Sequence, residues 1–526
     1  MADDIEPGSL GDIARIQAKA LGEAIALTFE GRAVSYATFD RHTNQVANGL
    51  IAMGVKPGDR VTYLGKNSDL YFEALFGATK AGAVMAPINW RLAPPEVRYI
   101  IGDAAAKLLF VGPEFIEEAQ RLLPGLATIE TTVAMEGAVG DWPDFQAWRD
   151  AQSDVDPNLP VQYEDVALQL YTSGTTGHPK GAMLSHRAML QPRILQKKAD
   201  DDWNRWGEGE VSLVAMPVFH IGGTGWGIMG LYNGAKGVVA REFDPNSVLD
   251  FIENDRISKM FMVPSAMQIV VRQPRAREVD YSCLKFMMYG ASPIPLDLLK
   301  ECMEVFGCGF VQMYGMTETN GTIVALPPED HDPAGTPRMR AAGKALPGVE
   351  IAIWDEEGKS LGPHAVGEIV TRSPANMTGY WGKPDATAKT IDADGWLRTG
   401  DAGYLDEDGY VFIHDRVKDM IITGGENVYP AEVENAIFGH PSVADVGVIG
   451  VPDERWGEAV KAVVSLKPGA EASPAQIIAW ARERIAAFKC PKSVDFVEAV
   501  PRNPSGKILR RELREPYWAG IERRVN

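Results

Sequence analysis

Cysteine, positive charge and long apolar runs are all scarce in this chain, and each shortage removes a class of protein. Four cysteines (Cys283, Cys302, Cys308 and Cys490) in 526 residues are too few for a disulfide framework, and none forms the CxxC pair of a zinc site. The 52 Lys and Arg against 71 Asp and Glu leave a formal net charge of −19, which makes free nucleic acid and anionic membrane poor partners. Any phosphate-bearing ligand must then meet local positive charge or a bound metal. No run of about 18 apolar residues could span a bilayer, and the acidic start Met-Ala-Asp-Asp-Ile-Glu has no apolar signal core. The expectation is a soluble, cytoplasmic protein with no transmembrane segment.

What is present is a glycine- and hydroxyl-rich stretch, Leu170 to Gly181, with Thr172, Ser173, Thr175 and Thr176, Gly174, Gly177 and Gly181, and Lys180. Such glycines let backbone N–H groups converge on an anion, the hydroxyls add neutral donors, and Lys180 adds a point charge. A polyphosphate fits that description. The bland alternative, a surface loop, is countered by apolar runs on both sides, Val166–Leu170 and Ala182–Leu184, which read as strand, loop, strand, with Ser185 capping a following helix. It is not a Walker loop, because Pro179 precedes the lysine and Gly181 follows it, where that motif needs Ser or Thr.

At 526 residues the chain exceeds one core, so a large domain plus a smaller one is expected. A helix over Ser35–Gly54, strands at Arg60–Leu64, Val84–Pro87 and Leu108–Val111, and a helix from Leu70 to about Ala81 predict parallel α/β layers. Residues 1–165 read as scaffold without chemistry. Further strands are expected at Val211–Met216, Met260–Pro264 (with Val263) and Phe286–Tyr289, the first ending at a turn with His220 and Ile221 and the last at Gly290-Ala291-Ser292. Carboxyl ends of strands are where open α/β sheets bind ligands. Gln312-Met313-Tyr314-Gly315-Met316-Thr317-Glu318 repeats the arrangement, offering a flat ring and a hard oxygen ligand for Mg²⁺. Taken singly, each of these turns is more often structural than functional. From 343 to 415 short strands alternate with Asp/Gly turns, and Asp401 follows a tight turn in a way that suits a ribose diol. A charge cluster, Asp415–Asp419, marks a domain boundary. The remainder reads as a small α+β unit with a Ser473-capped helix from about Pro474 to Phe488 and a basic Pro/Gly turn bearing Lys507.

In family order, YTSGTTGHPKG, PVFHIGG, YGASP, QMYGMTET, TGD with DRVKD, and PSGKILRREL resemble the adenylate-forming superfamily of acyl-CoA synthetases, peptide-synthetase adenylation domains and luciferases. The resemblance implies an N-terminal adenylation domain over 1–417, with two α/β sheets and a small β-barrel-like part over about 343–415. It also implies a mobile α+β C-terminal domain over 418–526. It implies ATP, Mg²⁺ and coenzyme A as the cofactor set. Thr172, Ser173, Gly174, Thr175, Thr176, Gly177 and Lys180 would hold the β- and γ-phosphates. Gly290, Ala291 and Ser292 would face Tyr314 across adenine, with Gln312, Gly315, Met316 and Thr317 beside them. Asp401 and Arg416 would take the ribose. Thr172 and Glu318 would ligate Mg²⁺, and Lys507 would bridge the acyl carboxylate and the α-phosphate. Lys418 matches the family's hinge, and Gly424 and Gly425 the lining of the pantetheine tunnel. Lys507, Lys180, Thr176, Glu318 and His220 are then the catalytic candidates. An acyl pocket is expected at His220, Ile221, Trp226, Val263, Gly290, Gly315 and Met316.

Peptide-synthetase domains place an aspartate where this chain has His220, so an amino acid substrate is disfavoured. A carboxylic acid with an apolar body, and CoA as acceptor, fits better. A medium- or long-chain fatty or alicyclic acid is favoured over an aryl acid of the benzoate or cinnamate type. A non-catalytic nucleotide- or lipid-binding relative is the alternative from another class. The partners expected are small molecules, with a homodimer compatible with the reading.

Overall fold

Apolar strands separated by capped helices build the parallel layers that the alternation predicts. The computed structural model describes residues 6–172, 179–416, 419–423, 426–453, 455–503 and 506–519, with backbone alone at 415 and 416. Among them a seven-stranded sheet runs in the order Gly379–Tyr380, Lys180–Ser185, Val166–Thr172, Val84–Pro87, Arg60–Leu64, Leu108–Val111 and Thr131–Ala134. A nine-stranded sheet has Val211–Val214, Lys259–Met262, Phe286–Gly290 and Gly309–Tyr314 as parallel central strands. Helix Asp69–Lys80 is buried along its whole length and touches a strand of each sheet, Val84–Pro87 in one and Ile25–Phe29 in the other. Its apolar sequence on all sides is what such an interior position demands. Its charged residues are paired, with Asp69 2.7 Å from Arg32 and Glu73 2.5 Å from Arg149.

Local signals set the boundaries. Ser35 accepts a hydrogen bond from the Thr38 N–H (3.2 Å) and starts helix Tyr36–Ala52, and Gly54 beyond its end takes φ +82°. Ser185 does the same for helix His186–Ala199, accepting from Ala188 N–H at 3.1 Å. The two runs flanking the hydroxyl-rich stretch pair antiparallel, Thr172 opposite Lys180. Ser173–His178, between them, lie outside the described residues, as do Val417-Lys418 at the expected domain boundary and Gly424-Gly425. Between 343 and 415, where the barrel-like part is expected, Glu350–Trp354, Gly367–Arg372, Leu397–Leu405 and Val411–Arg416 form a four-stranded antiparallel sheet in chain order.

The C-terminal part has its own core, with Ile421, Val433, Val448, Val464 and Ile477 buried beneath a sheet built on the long pair Val443–Asp453 and Gly457–Leu466. The helix expected from Pro474 to Phe488 stops at Arg482. The chain turns there because Phe488 has no interior to face and is 39% exposed, while Cys490 beyond it is buried. This part sits against the larger one. Gln268 Nε2 donates to the Ala444 carbonyl (3.1 Å), and Tyr429 stacks on His414 with ring centroids 4.5 Å apart. A Cβ at Gly506 would run into Ser265, so the Lys507 turn rests directly on the strand end at Val263–Ser265. No helix of the described residues is long and apolar enough to cross a membrane.

Candidate active site

The carboxyl ends of the parallel strands converge. The chain leaving Val211–Val214 supplies Met216, Phe219 and His220 to one cavity of about 2060 Å³; that leaving Lys259–Met262 supplies Val263 and Ser265. Phe286–Gly290 is followed by Ala291 and Ser292, and Gly309–Tyr314 by Gly315, Met316, Thr317 and Glu318, all on the same wall. Thr172, Lys180, Gln312, Tyr314, Ile221, Trp226, Asp401 and Lys507 line it too. Gly290 is instead a buried strand residue, paired with Met313, and a Cβ there would meet the Met313 carbonyl. Ala291, directly after it, takes φ +68°, a conformation that costs a non-glycine residue about 1 kcal/mol and that tends to persist at ligand sites.

One end of the cavity is polar. The Glu318 side chain is buried, and its Oε1 accepts hydrogen bonds from Thr172 Oγ1 (3.3 Å) and Tyr380 OH (2.8 Å). Lys180 Nζ stands 4.2 Å from the centre of the Tyr380 ring. Tyr314 OH donates to Asp401 Oδ2 at 2.8 Å, and Asp401 is held in turn by its own N–H donating to Thr399 Oγ1 (3.1 Å). Arg416 lies opposite Asp401 in the strand register.

The other end is apolar and lies between two helices. Ile221, Gly222, Gly225, Trp226 and Met229, one face of helix Ile221–Tyr232, line it together with Pro192, Arg193 and Gln196 of helix His186–Ala199. Trp226 is fixed by its Nε1–H donating to the Leu213 carbonyl (3.0 Å) and packs beside Trp206 and Phe261. His220 stands where the two ends meet. Its Nε2 is sealed from solvent with no hydrogen-bond partner among the described residues, and its ring lies 4.5 Å from that of Phe219. Burial, helped by the positive charges of Arg91 and Lys507, pushes its pKa down to about 4. The imidazole is therefore neutral at physiological pH. Lys507 comes from a turn in which its own N–H donates to Asn503 Oδ1 (2.8 Å) and the Asn503 N–H donates to its carbonyl (2.8 Å). Residues 189 positions apart, Glu318 and Lys507, thus face one space.

Comparison with known proteins matches this geometry to one family. The profile described as "AMP-binding enzyme" matches residues 14–381, and "AMP-binding enzyme C-terminal domain" matches 432–507. The chain belongs to the AMP-binding enzyme family. It is 45% identical to the fatty acid–[acyl-carrier-protein] ligase ScoC of Streptomyces coeruleorubidus, over 95% of each chain. To the feruloyl-CoA synthase of an Amycolatopsis species it is 40% identical, over 94% of this chain and 96% of that one. The crystal structure of ATP-bound MatB from Rhodopseudomonas palustris superposes with a TM-score of 0.87 at 32% identity, covering 98% of this chain and all of that one. As a member of this family the chain is an AMP-forming acid–thiol ligase whose cofactor set is ATP, Mg²⁺ and coenzyme A.

The residues of this AMP-binding enzyme fit that set. No cluster of three or more His, Cys, Asp or Glu that could hold a metal occurs among the described residues. A buried carboxylate whose partners are two hydroxyls is nonetheless suited to Mg²⁺, which takes one or two protein oxygens and completes its shell with phosphates and water. Arg91, Lys180 and Lys507 give the cavity the positive charge that the chain as a whole lacks. Several wall residues escape a motif reading. Asn89, Arg91 and Leu92 follow strand Val84–Pro87, so the first 165 residues are not scaffold alone. Their signal was their place after a parallel strand. Tyr380 reaches Glu318 because the two-residue strand Gly379–Tyr380 pairs with Met183 and Ala182, a contact across almost 200 positions that no local pattern announces.

Proposed function

We propose that this ligase activates a medium- or long-chain fatty or alicyclic acid as its acyl-adenylate and passes the acyl group to CoA. The observation that carries the reading is that Lys507 lines the same cavity as Thr172, Lys180 and Glu318, beside an apolar compartment large enough to take an acyl chain. In the first step a carboxylate oxygen attacks the α-phosphorus, the bond from that phosphorus to the bridging oxygen breaks, and pyrophosphate leaves. Anion meets anion there. Lys507 offsets the charge between carboxylate and α-phosphate, while Lys180 and the Ser173–Gly177 loop, with Thr172 and Thr176, hold the outgoing phosphates. Glu318 and Thr172 would hold Mg²⁺, which would supply positive charge against the negative charge of the phosphates. Tyr314 and Asp401, with Arg416, position the adenosine, and Ala291 and Ser292 border the base. Neutral His220 directs the carboxylate without competing for it as a cation.

In the second step the thiolate of CoA attacks the acyl carbon, the carbon–oxygen bond to AMP breaks, and AMP leaves. The domains proposed for this cycle are 1–417 and 418–526, turning about Lys418, with Gly424 and Gly425 along the CoA path. The need for ATP and CoA supports a cytoplasmic setting, and sedimentation separates a monomer from the homodimer the sequence allows.

The apolar wall of Ile221, Trp226, Met229 and Phe261 favours an aliphatic or alicyclic body. The relatives' names divide between a fatty acid and ferulate, so family membership does not choose. The test is carboxylate-dependent exchange of pyrophosphate into ATP over a panel of fatty, alicyclic and aryl acids, followed by thioester formation with CoA or a phosphopantetheinylated carrier protein. Exchange with fatty or alicyclic acids and transfer to CoA is expected. Exchange restricted to aryl acids would move the substrate class, and none with any acid would leave a nucleotide-binding protein.

A further inference from the structure

The apolar compartment contains a charge that this ligase chemistry does not use. Arg193, on helix His186–Ala199, is 6% exposed and lines the cavity. Its Nη1 donates to the Met189 carbonyl and its Nη2 to the Gly225 carbonyl (2.9 Å). Its Nε is buried and, among the described residues, donates to nothing. Among the described residues no carboxylate pairs with it; the one charged-form neighbour that affects it is the phenol of Tyr232, and burial draws its pKa down to about 10. It stays protonated at neutral pH all the same. Asn320, also on the cavity wall, repeats the pattern: Nδ2 donates to the Ala188 carbonyl (2.8 Å), and Oδ1 is buried with no partner among the described residues. The two side chains dock on successive carbonyls of one helix, and each Nη of Arg193, having given one N–H to a carbonyl, keeps a second. A buried cation without a counter-charge is costly in a purely structural role. An apolar side chain would fill the same space without that cost.

We infer that the acid activated here carries an oxygen at the end remote from its reacting carboxyl, either a second carboxylate or a keto or hydroxyl oxygen, and that Arg193 and Asn320 bind it. The inference rests on the ligase reading above and names the substrate class for it. A guanidinium N–H serves each of these oxygens, and a hydroxyl could in addition donate to Asn320 Oδ1. The carbonyl that holds Arg193 belongs to Gly225, five residues beyond His220. Five residues of helix span roughly 7.5 Å, which a short to medium aliphatic chain bridges. The hydrocarbon between the two ends lies against Ile221, Trp226 and Met229.

The experiment compares hexanoate, octanoate and decanoate with their ω-carboxyl, ω-hydroxyl and ω-minus-one keto counterparts. The readouts are pyrophosphate exchange and kcat/KM for AMP release by the full-length enzyme. At one chain length at least, an oxygen-bearing acid should exceed its plain parent by about tenfold or more, as a charge-assisted hydrogen bond to a buried group implies. The rank among the three oxygens identifies which one is the natural terminus. Arg193→Met should invert that preference with the KM for ATP unchanged, and Arg193→Lys should restore part of it. Plain acids used as well as every counterpart at all three lengths by the wild-type enzyme would overturn the inference while leaving the ligase reading intact. So would an Arg193→Met enzyme whose losses are equal for all acids, because that is a packing role. Should Arg193→Met not fold, the wild-type comparison decides alone. Exchange with no acid at all removes the ligase reading, and this inference with it.

Discussion

At Glu318 a buried carboxylate takes hydrogen bonds from Thr172 and Tyr380 and forms no ion pair among the described residues. Glu318→Gln keeps the shape and removes the charge. We expect adenylation to fall at least tenfold, about 1.4 kcal/mol of barrier, with a raised Mg²⁺ requirement. Unchanged turnover and unchanged Mg²⁺ dependence would remove Glu318 from the reaction. His220 gives a pH prediction of definite sign. Its pKa in the folded chain is about 4, against about 6.5 for a histidine in the unfolded chain. Between those values the unfolded chain holds the proton and the folded chain does not. Stability from this residue is therefore fully present above pH 6.5 and is lost as pH falls towards 4. Urea unfolding at steps from pH 7 to 4.5 should show His220→Gln losing less stability than the wild type over that interval. Parallel curves would mean that the imidazole is not held neutral by the fold.

Helix Ile221–Tyr232 turns one face to the cavity and the other to the core, and Trp226 belongs to both. Trp226→Ala should shift preference towards longer or bulkier acids, and should cost stability by about 3–5 kcal/mol as a large core truncation. A chain-length profile that stays the same while stability drops would assign the ring to the core alone. Elements of this kind show what the sequence carries and what it does not. Strands Arg60–Leu64, Val84–Pro87 and Leu108–Val111, and the caps at Ser35, Ser185 and Ser473, are written in local pattern, because propensity, burial and capping act over a few residues. The turns after the parallel strands could be marked as site positions because strand direction dictates where ligands bind. Arg91 also follows such a strand and is passed over in the scaffold reading, whereas Tyr380 and Arg193 carry no such mark. Tyr380 depends on a pairing between distant strands, and Arg91 on the sheet order that brings its strand beside Val166–Thr172. Arg193 sits mid-helix, where an arginine is ordinarily a solvated surface residue.

The whole molecule brings a lysine from near the end of the chain to a cavity walled mostly by its first four-fifths, with the Lys507 turn resting on Val263–Ser265 and the Ala444 carbonyl tied to Gln268. On the function proposed above this is the closed arrangement for adenylation, with Lys507 offsetting charge at the α-phosphate from inside the cavity. On the same proposal CoA must reach the acyl carbon after pyrophosphate has left, where the Lys507 turn then stands. The C-terminal part must therefore move between steps. A hinge needs only a few residues to change φ/ψ, and Lys418 is the residue proposed for it. Lys507→Ala should abolish acyl-adenylate formation yet leave CoA attack on supplied acyl-AMP nearly intact. Lys418→Pro fixes φ at that position and should do the reverse, keeping adenylation and losing thioester formation. Both half-reactions are measured separately in both variants, adenylation by pyrophosphate exchange and transfer from synthetic acyl-AMP. Equal losses in the two steps for Lys507→Ala would assign the lysine to folding or general substrate binding. A Lys418→Pro enzyme that performs both steps at wild-type rates would put the hinge elsewhere, because a fixed φ at the true pivot cannot serve two domain orientations.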